Sequence, residues 1–174
     1  DGGNVAGSLA ITSAPDVVFD GGTLDGKTAL DLNGTITNGK DSHDQTAAAG
    51  AVTVVDPGTA SGWKVQVANS AMANDVTGST GAAAQIQGGT INYTGAVLAS
   101  KDSGADAGVA LDSDSISLNT EGTAAKNVYN AKKGSGVGTW TDTFSKANLT
   151  VPAGNAKGSY TSTLTWTLTN TPEA

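Results

Sequence analysis

The side chains of this sequence that could carry acid–base chemistry are few. There is one histidine, His43, and it lies between Asp41 and Asp44. No serine or cysteine sits in the sharp strand-to-helix turn that exposes a catalytic nucleophile. The sequence also has no phosphate-binding glycine loop, dinucleotide fingerprint or zinc motif. We therefore interpret His43 as a solvated loop residue and predict that the protein is not an enzyme.

An acidic segment offers the oxygen ligands that a metal would need. Asp102, Asp106, Asp112 and Asp114 lie close together in the chain, and calcium takes about 6–8 oxygen ligands from carboxylates, carbonyls and water. The spacing differs from that of an EF-hand loop, and no glutamate closes the site. A calcium loop remains the alternative. We favour a solvated loop and predict no metal and no cofactor.

Paired carboxylates for glycoside hydrolysis need two acids at a fixed separation in a cleft. The chain has 16 acidic residues, so a pair is easily found and no particular pair is indicated.

Tryptophans could instead bind a ligand by stacking. In Trp63-Lys64-Val65-Gln66-Val67, the large residues alternate with polar ones, as on a strand with one buried face. The run from Tyr160 to Pro172 alternates in the same way, with Trp166 and Leu168 on one face and threonines on the other. Such rings are usually buried, so we prefer a core role. A binding platform that stacks on sugars is the alternative.

Charge excludes two classes of partner. The chain has 9 lysines, no arginine and 16 acidic residues, for a net charge of −7. This balance argues against binding to nucleic acid or to anionic lipid, both of which need cationic contacts. No apolar run reaches the ~18 residues of a membrane span. The sequence opens with Asp1-Gly2-Gly3-Asn4, which we interpret as a mature form without its signal peptide.

The elements that must position these residues are short strands. About ten β-rich runs separated by turn residues predict an all-β fold, an antiparallel sandwich or barrel-like domain with long polar loops. Asn33-Gly34 is typical of a hairpin turn. The segment from Asn38 to Gly50 has no strand pattern, and Ala124 to Lys133 is where one or two helical turns are expected.

These motifs together resemble the WxL domain, a cell-surface domain of low-GC Gram-positive bacteria. The resemblance covers nearly the whole chain. It is carried by Ser8 to Pro15 followed by Phe19, by Val52 to Gly58 before Gly62-Trp63-Lys64-Val65, and by Tyr160 to Pro172. Val65 stands where the family usually has leucine. The turn before Trp63 lacks the family's common arginine.

The resemblance implies a single WxL-type domain over residues 1–174 that is exported and displayed at the cell surface. It implies non-covalent attachment to the cell wall, with peptidoglycan or another wall glycan as ligand. It also implies surface complexes with a membrane-anchored WxL-interacting protein and other WxL proteins. The motif residues expected to frame the ligand surface, or to hold the strands that do, are Trp63, Val65, Trp166 and Leu168. The alternative is an adhesive or structural subunit that docks on a membrane-anchored partner without binding the wall.

Overall fold

A computed structural model of the chain describes residues 9–38, 49–102 and 106–170, without the side chain of Asn38. In these ranges the elements are almost all strands. The strands are β1 (Ala10–Ser13), β2 (Pro15–Phe19), β3 (Leu30–Asn38), β4 (Ala51–Asp56), β5 (Trp63–Asn69), β6 (Ala73–Asn74), β7 (Thr90–Thr94), β8 (Val97–Ser100), β9 (Val109–Leu111), β10 (Ser115–Asn119), β11 (Lys126–Ala131), β12 (Gly138–Thr143), β13 (Lys146–Val151), β14 (Tyr160–Thr161) and β15 (Leu164–Thr169). One short 3-10 helix spans Gly81–Ala83.

The strands form four antiparallel sheets. Sheet A has the order β1-β4-β12-β8, sheet B the order β10-β7-β13-β3-β2, and sheet C the order β15-β5-β11-β9. Sheet D is the small pair β14-β6. The sequence prediction of an all-β antiparallel fold is therefore confirmed.

One hydrophobic cluster joins the three larger sheets. Sheet A contributes Val52, Val54 and Trp140, sheet B contributes Ile91, Tyr93 and Leu149, and sheet C contributes Trp63, Val65 and Tyr129. Most residues of β4, and the central residues of β12, are buried on both faces. Apolar packing of this kind is the main source of stability in a chain without disulfides.

The predicted hairpin turn at Asn33-Gly34 is wrong. Both residues lie inside the continuous strand β3, which pairs with β13 on one side and β2 on the other. Gly34 lies opposite Phe19. A Cβ at position 34 would come within 2.5 Å of the Val17 side chain. This glycine therefore makes room for neighbouring side chains and does not turn the chain.

The helical turns expected between Ala124 and Lys133 are also wrong. Lys126–Ala131 is strand β11, held between β5 and β9. The strand is favoured because Val128 and Tyr129 are both fully buried. The free energy gained by burying these residues outweighs the local preference of the flanking alanines and lysines for helix.

The C-terminal run is divided in two. β14 pairs with β6 and β15 pairs with β5, with Ser162 and Thr163 between them. At this break the Ser70 hydroxyl accepts a hydrogen bond from the Thr163 amide (2.9 Å), and the Ser162 hydroxyl donates to the Ser70 carbonyl (2.6 Å). The Ser70 amide also donates to the Thr163 carbonyl (2.9 Å). Side-chain hydrogen bonds thus supplement the backbone bonding at this break.

His43 and most of the segment from Asn38 to Gly50 lie outside the described residues. Among the residues that the structure does describe, there is no helix of the length and apolarity needed to cross a membrane.

Candidate functional site

The two Trp-x-aliphatic motifs lie on neighbouring strands. Trp63 and Val65 belong to β5, and Trp166 and Leu168 belong to β15. In the antiparallel register Leu168 lies opposite Val65, and Trp166 lies opposite Val67. Residues directly opposite in such a pair point to the same face of the sheet. All four motif side chains therefore project to the inner face of sheet C.

Trp63 is a core residue. It is fully buried, and its ring packs edge-on against Tyr129 with centroids 5.0 Å apart. Its indole Nε1 donates a hydrogen bond to the Gly136 carbonyl at 3.2 Å, so its polar atom also has a partner inside the protein. Val65 is fully buried as well. Neither side chain can touch a ligand at the surface.

Trp166 and Leu168 are only half-buried, because β15 is an outer strand of sheet C. Trp166 packs edge-on against Tyr93 of sheet B, with centroids 6.2 Å apart. This contact joins the C-terminal strand to the opposite sheet. The third tryptophan, Trp140, is 3% exposed. Trp63 and Trp140 are therefore closed to a stacking sugar, while Trp166 keeps part of its ring at the surface.

The residues between the motif positions form the outer face of sheet C. Thr167 lies opposite Gln66, and Thr165 lies one pleat further along β15 on the same side. Asn127 extends this row on β11, where its Oδ1 accepts a hydrogen bond from Gln66 Nε2 at 2.7 Å. Lys64 completes what we call the polar face: Lys64, Gln66, Asn127, Thr165 and Thr167. Thr165, Thr167 and Asn127 are exposed, so hydroxyl and amide groups are open to a ligand.

A second surface feature is a groove of about 560 Å³ between sheet B and the start of the C-terminal run. One wall is formed by β2 and β3, including Val17, Phe19 and Leu32, and the other by Tyr160 to Ser162 and Leu164. Ile91, Leu149 and Val151 of sheet B and the neighbouring Met72 and Ile86 also line it. We call this cavity the apolar groove.

Carboxylates lie at the rim of the apolar groove. Asp16 and Asp20 line it and are exposed. On the opposite wall, Ser159 and Thr161 donate hydrogen bonds to Asp75 at 2.8 and 2.7 Å. These two hydroxyls, Thr161 first, lower the pKa of the Asp75 carboxyl. Asp16 and Asp20 thus line the groove itself, and Asp75 lies behind the wall formed by Ser159 and Thr161.

Asp142 is a buried acid that the sequence analysis did not identify. It lies on β12 opposite Val52 and is 0% exposed. Within the described residues neither of its carboxyl oxygens has a hydrogen-bond partner. Burial raises the pKa of this carboxyl to about 7, because an apolar environment disfavours the charged form.

Tyr129 connects sheet C to the two central strands of sheet A. Its hydroxyl lies 2.8 Å from the Val52 carbonyl and 3.1 Å from the Trp140 carbonyl. Burial, and then the nearby Asp142 charge, raise the pKa of Tyr129 well above its ordinary value. The phenol is therefore a fixed hydrogen-bond donor and not an acid–base catalyst.

The aspartates considered for calcium mostly hold backbone in place. Asp102 accepts a hydrogen bond from the Thr139 amide (2.7 Å), and Asp106 accepts from the amides of Gly108 (2.9 Å) and Gly136 (3.1 Å). Asp112 accepts from the Asn130 side chain at 3.1 Å. In residues 9–38, 49–102 and 106–170 no three acidic or histidine side chains are grouped so that they could hold a metal ion.

Comparison with protein families gives a match over nearly the whole chain. The family described as "WxL domain surface cell wall-binding" matches residues 1–172. No curated protein and no solved structure matches the chain.

Proposed function

Because this chain belongs to the WxL family of surface cell-wall-binding domains, we propose that it attaches to the peptidoglycan of a Gram-positive wall through the polar face. The attachment is non-covalent, and the protein is exported before it is displayed. In this proposal Trp63, Val65, Trp166 and Leu168 do not touch the ligand. They pack beneath the polar face and hold β5 and β15 in register.

The observation that carries the proposal is the alternation along these two strands. Every second residue points inward to the core, so the intervening residues Lys64, Gln66, Thr165 and Thr167 are displayed side by side. Peptidoglycan offers hydroxyl, acetamide and peptide groups, which pair with threonine hydroxyls and side-chain amides. Hydrogen bonding is the mode of binding that this face supports best, since Trp63 and Trp140 are buried and the net charge of −7 does not attract an anionic wall.

The test is sedimentation with purified sacculi. The double variant Thr165→Val, Thr167→Val removes two hydroxyls while keeping β-branched side chains of similar shape. We expect it to stay folded by circular dichroism and to lose most of its binding. The matched control is Thr35→Val, Thr37→Val, which changes two exposed threonines at the same spacing on β3. Equal binding by both double variants would contradict the proposal.

Surface complexes with a membrane-anchored partner are the second candidate function. Among the described residues, the outer edge of β2 in sheet B has no hydrogen-bonded neighbour, and neither has that of β15 in sheet C, although β1 lies near β15. Such edges can accept a strand from another protein. Capture of a membrane-anchored partner without sedimentation on stripped sacculi would make this the main function. Release of soluble muropeptides would instead show a wall hydrolase, and we expect none.

A further inference from the structure

The apolar groove has the shape and lining of a site for an extended polypeptide. Its volume is about 560 Å³, and it runs between β2 and the segment from Tyr160 to Leu164. Val18 of β2 (67% exposed) points to the face of the strand opposite the groove, whereas Val17 and Phe19 point toward the groove and are half-buried. An apolar surface left open in this way is typical of a contact site.

The open side of the groove coincides with a free strand edge. β2 is the outermost strand of sheet B in the described part of the chain. An added strand beside β2 would continue the inner face of sheet B, and every second side chain of that strand would point into the groove. We propose that the apolar groove docks an extended segment of a partner protein, which pairs with the outer edge of β2 and carries a basic flank. This extends the complex-forming role proposed above and is independent of wall binding.

The acidic residues at the groove indicate that the partner segment carries a basic flank. Asp16 and Asp20 line it, and Asp75 stands behind Ser159 and Thr161. The lining residues include no lysine, and the chain has no arginine. A partner segment with lysine or arginine beside its apolar residues would thus meet opposite charge, which favours association and selects against acidic segments.

The lining also distinguishes a peptide from other ligands. The sheet B side of the groove is apolar, with Leu30, Leu32, Ile91, Leu149 and Val151, and its polar groups lie on the two walls, at Asp16 and Asp20 and at Ser159, Thr161 and Ser162. Apolar side chains of a peptide therefore fit the apolar side better than the hydroxyls of a sugar. A fatty acyl chain would fit the apolar lining, but its carboxylate would be repelled by Asp16 and Asp20. An extended peptide with alternating apolar residues and a basic flank fits all three features: the apolar lining, the open edge of β2 and the negative charge of the aspartates.

The test is fluorescence anisotropy of a labelled peptide of about ten residues with alternating valine and threonine and two lysines at one end. The full chain should bind it, and a peptide with two glutamates in place of the lysines should bind at least ~10-fold more weakly. Val17→Glu should abolish binding while circular dichroism shows the fold retained, because Val17 points into the groove. Val18→Glu is the matched control, because it places the same charge one residue along β2 on the opposite face. It should bind as the wild type does.

Asp16→Asn with Asp20→Asn should weaken binding of the lysine peptide without changing binding of a peptide with two serines at that end. Sedimentation on sacculi should be unchanged in all of these variants, so that a failure of wall binding and a failure of the groove proposal are seen separately. The proposal is wrong if the lysine peptide does not bind, if folded Val17→Glu binds it normally, or if the glutamate peptide binds equally well. It is also wrong if a labelled fatty acid displaces the peptide as the tighter ligand. A dimer of the chain alone that Val17→Glu disrupts would make a second copy the occupant, and this would overturn it too.

Discussion

Leu168 lies directly opposite Val65 in the antiparallel pair of β15 and β5, although the two are about a hundred residues apart in the sequence. The two halves of the family motif are therefore one structural unit. They fix the register of the strand pair whose outer side forms the polar face. The predictions that follow separate this supporting role from direct contact with the wall.

Replacing Trp63 with alanine should destabilise the fold more than replacing Trp166. Trp63 is fully buried and Trp166 is half-buried, so we expect losses in the free energy of unfolding of ~3–5 and ~2 kcal/mol, respectively. Urea denaturation followed by circular dichroism measures both. A Trp63→Ala variant as stable as the wild type would contradict the core role.

Tyrosine-to-phenylalanine changes should distinguish two buried hydroxyls. The Tyr129 hydroxyl lies within hydrogen-bond distance of two carbonyls of sheet A, so Tyr129→Phe should cost ~1–3 kcal/mol in unfolding free energy. The Tyr93 hydroxyl is buried without a partner among the described residues. Tyr93→Phe should therefore be neutral or stabilising. The midpoints of urea unfolding of the two variants test this prediction. A larger loss of stability for Tyr93→Phe than for Tyr129→Phe would refute it.

Stability should fall as the pH rises from about 4 to about 7, because of Asp142. Its pKa is raised from 3.8 to about 7 in the folded protein, so the folded state retains the proton over this range while the unfolded chain releases it. The stabilisation is complete below pH 4 and decreases by about 4 kcal/mol as the pH passes through the folded pKa.

The control for this pH dependence is Asp142→Asn, which cannot titrate. Its stability should change much less between pH 4 and pH 8, and it should be more stable than the wild type at pH 8. Thermal unfolding at several pH values measures the difference. An identical pH slope in both proteins would show that another group is responsible.

Alanine at Gly136 should be more harmful than alanine at Gly134. Both glycines have a positive φ, +81° and +88°, so both variants suffer similar backbone strain. At Gly136, however, a Cβ would come within 2.5 Å of Trp63 and Ala131, whereas at Gly134 it would meet nothing within 4 Å. We expect an additional loss of ~1–3 kcal/mol for Gly136→Ala in denaturant unfolding. Equal losses would mean that the Trp63 ring moves aside freely.

Binding to sacculi should depend little on salt. The polar face carries one lysine, Lys64, and the protein has a net charge of −7, so attraction between opposite charges contributes little. We expect similar sedimentation at ~0.05 and ~0.5 M sodium chloride, a range over which unit charges become strongly screened. Lys64→Gln should leave this unchanged. A steep loss of binding in salt would point to ionic contacts instead.

The sequence predicted which face of a strand is buried better than it predicted which strands lie next to one another. Alternation of large and polar residues identified β5 correctly, because burial on one face leaves a period of two. It also identified the inward face of the C-terminal run, but that run was predicted as one strand and is divided into β14 and β15. The strand β12 was missed, since Thr141 and Asp142 are polar residues in buried positions. The order of strands in the sheets was also hidden: β4 and β5 are consecutive in the chain but belong to different sheets.

The candidate site was predicted only in part for a similar reason. The sequence pointed to Trp63 and Trp166, which the structure turns inward. The residues that face outward, such as Gln66 and Thr167, are common on any exposed strand. The groove is lined by Val17, Phe19 and Leu164, which come from distant parts of the chain. No local sequence pattern predicts that such residues lie close together.

The pairing of β15 with β5 has a consequence for how the chain folds. β5 is synthesised about a hundred residues before its partner at residues 164–169. Contacts between such distant segments slow folding, because a long loop must close before the contact forms. Sheet C therefore stays incomplete, with one edge of β5 unpaired, until residues 164–169 have been synthesised.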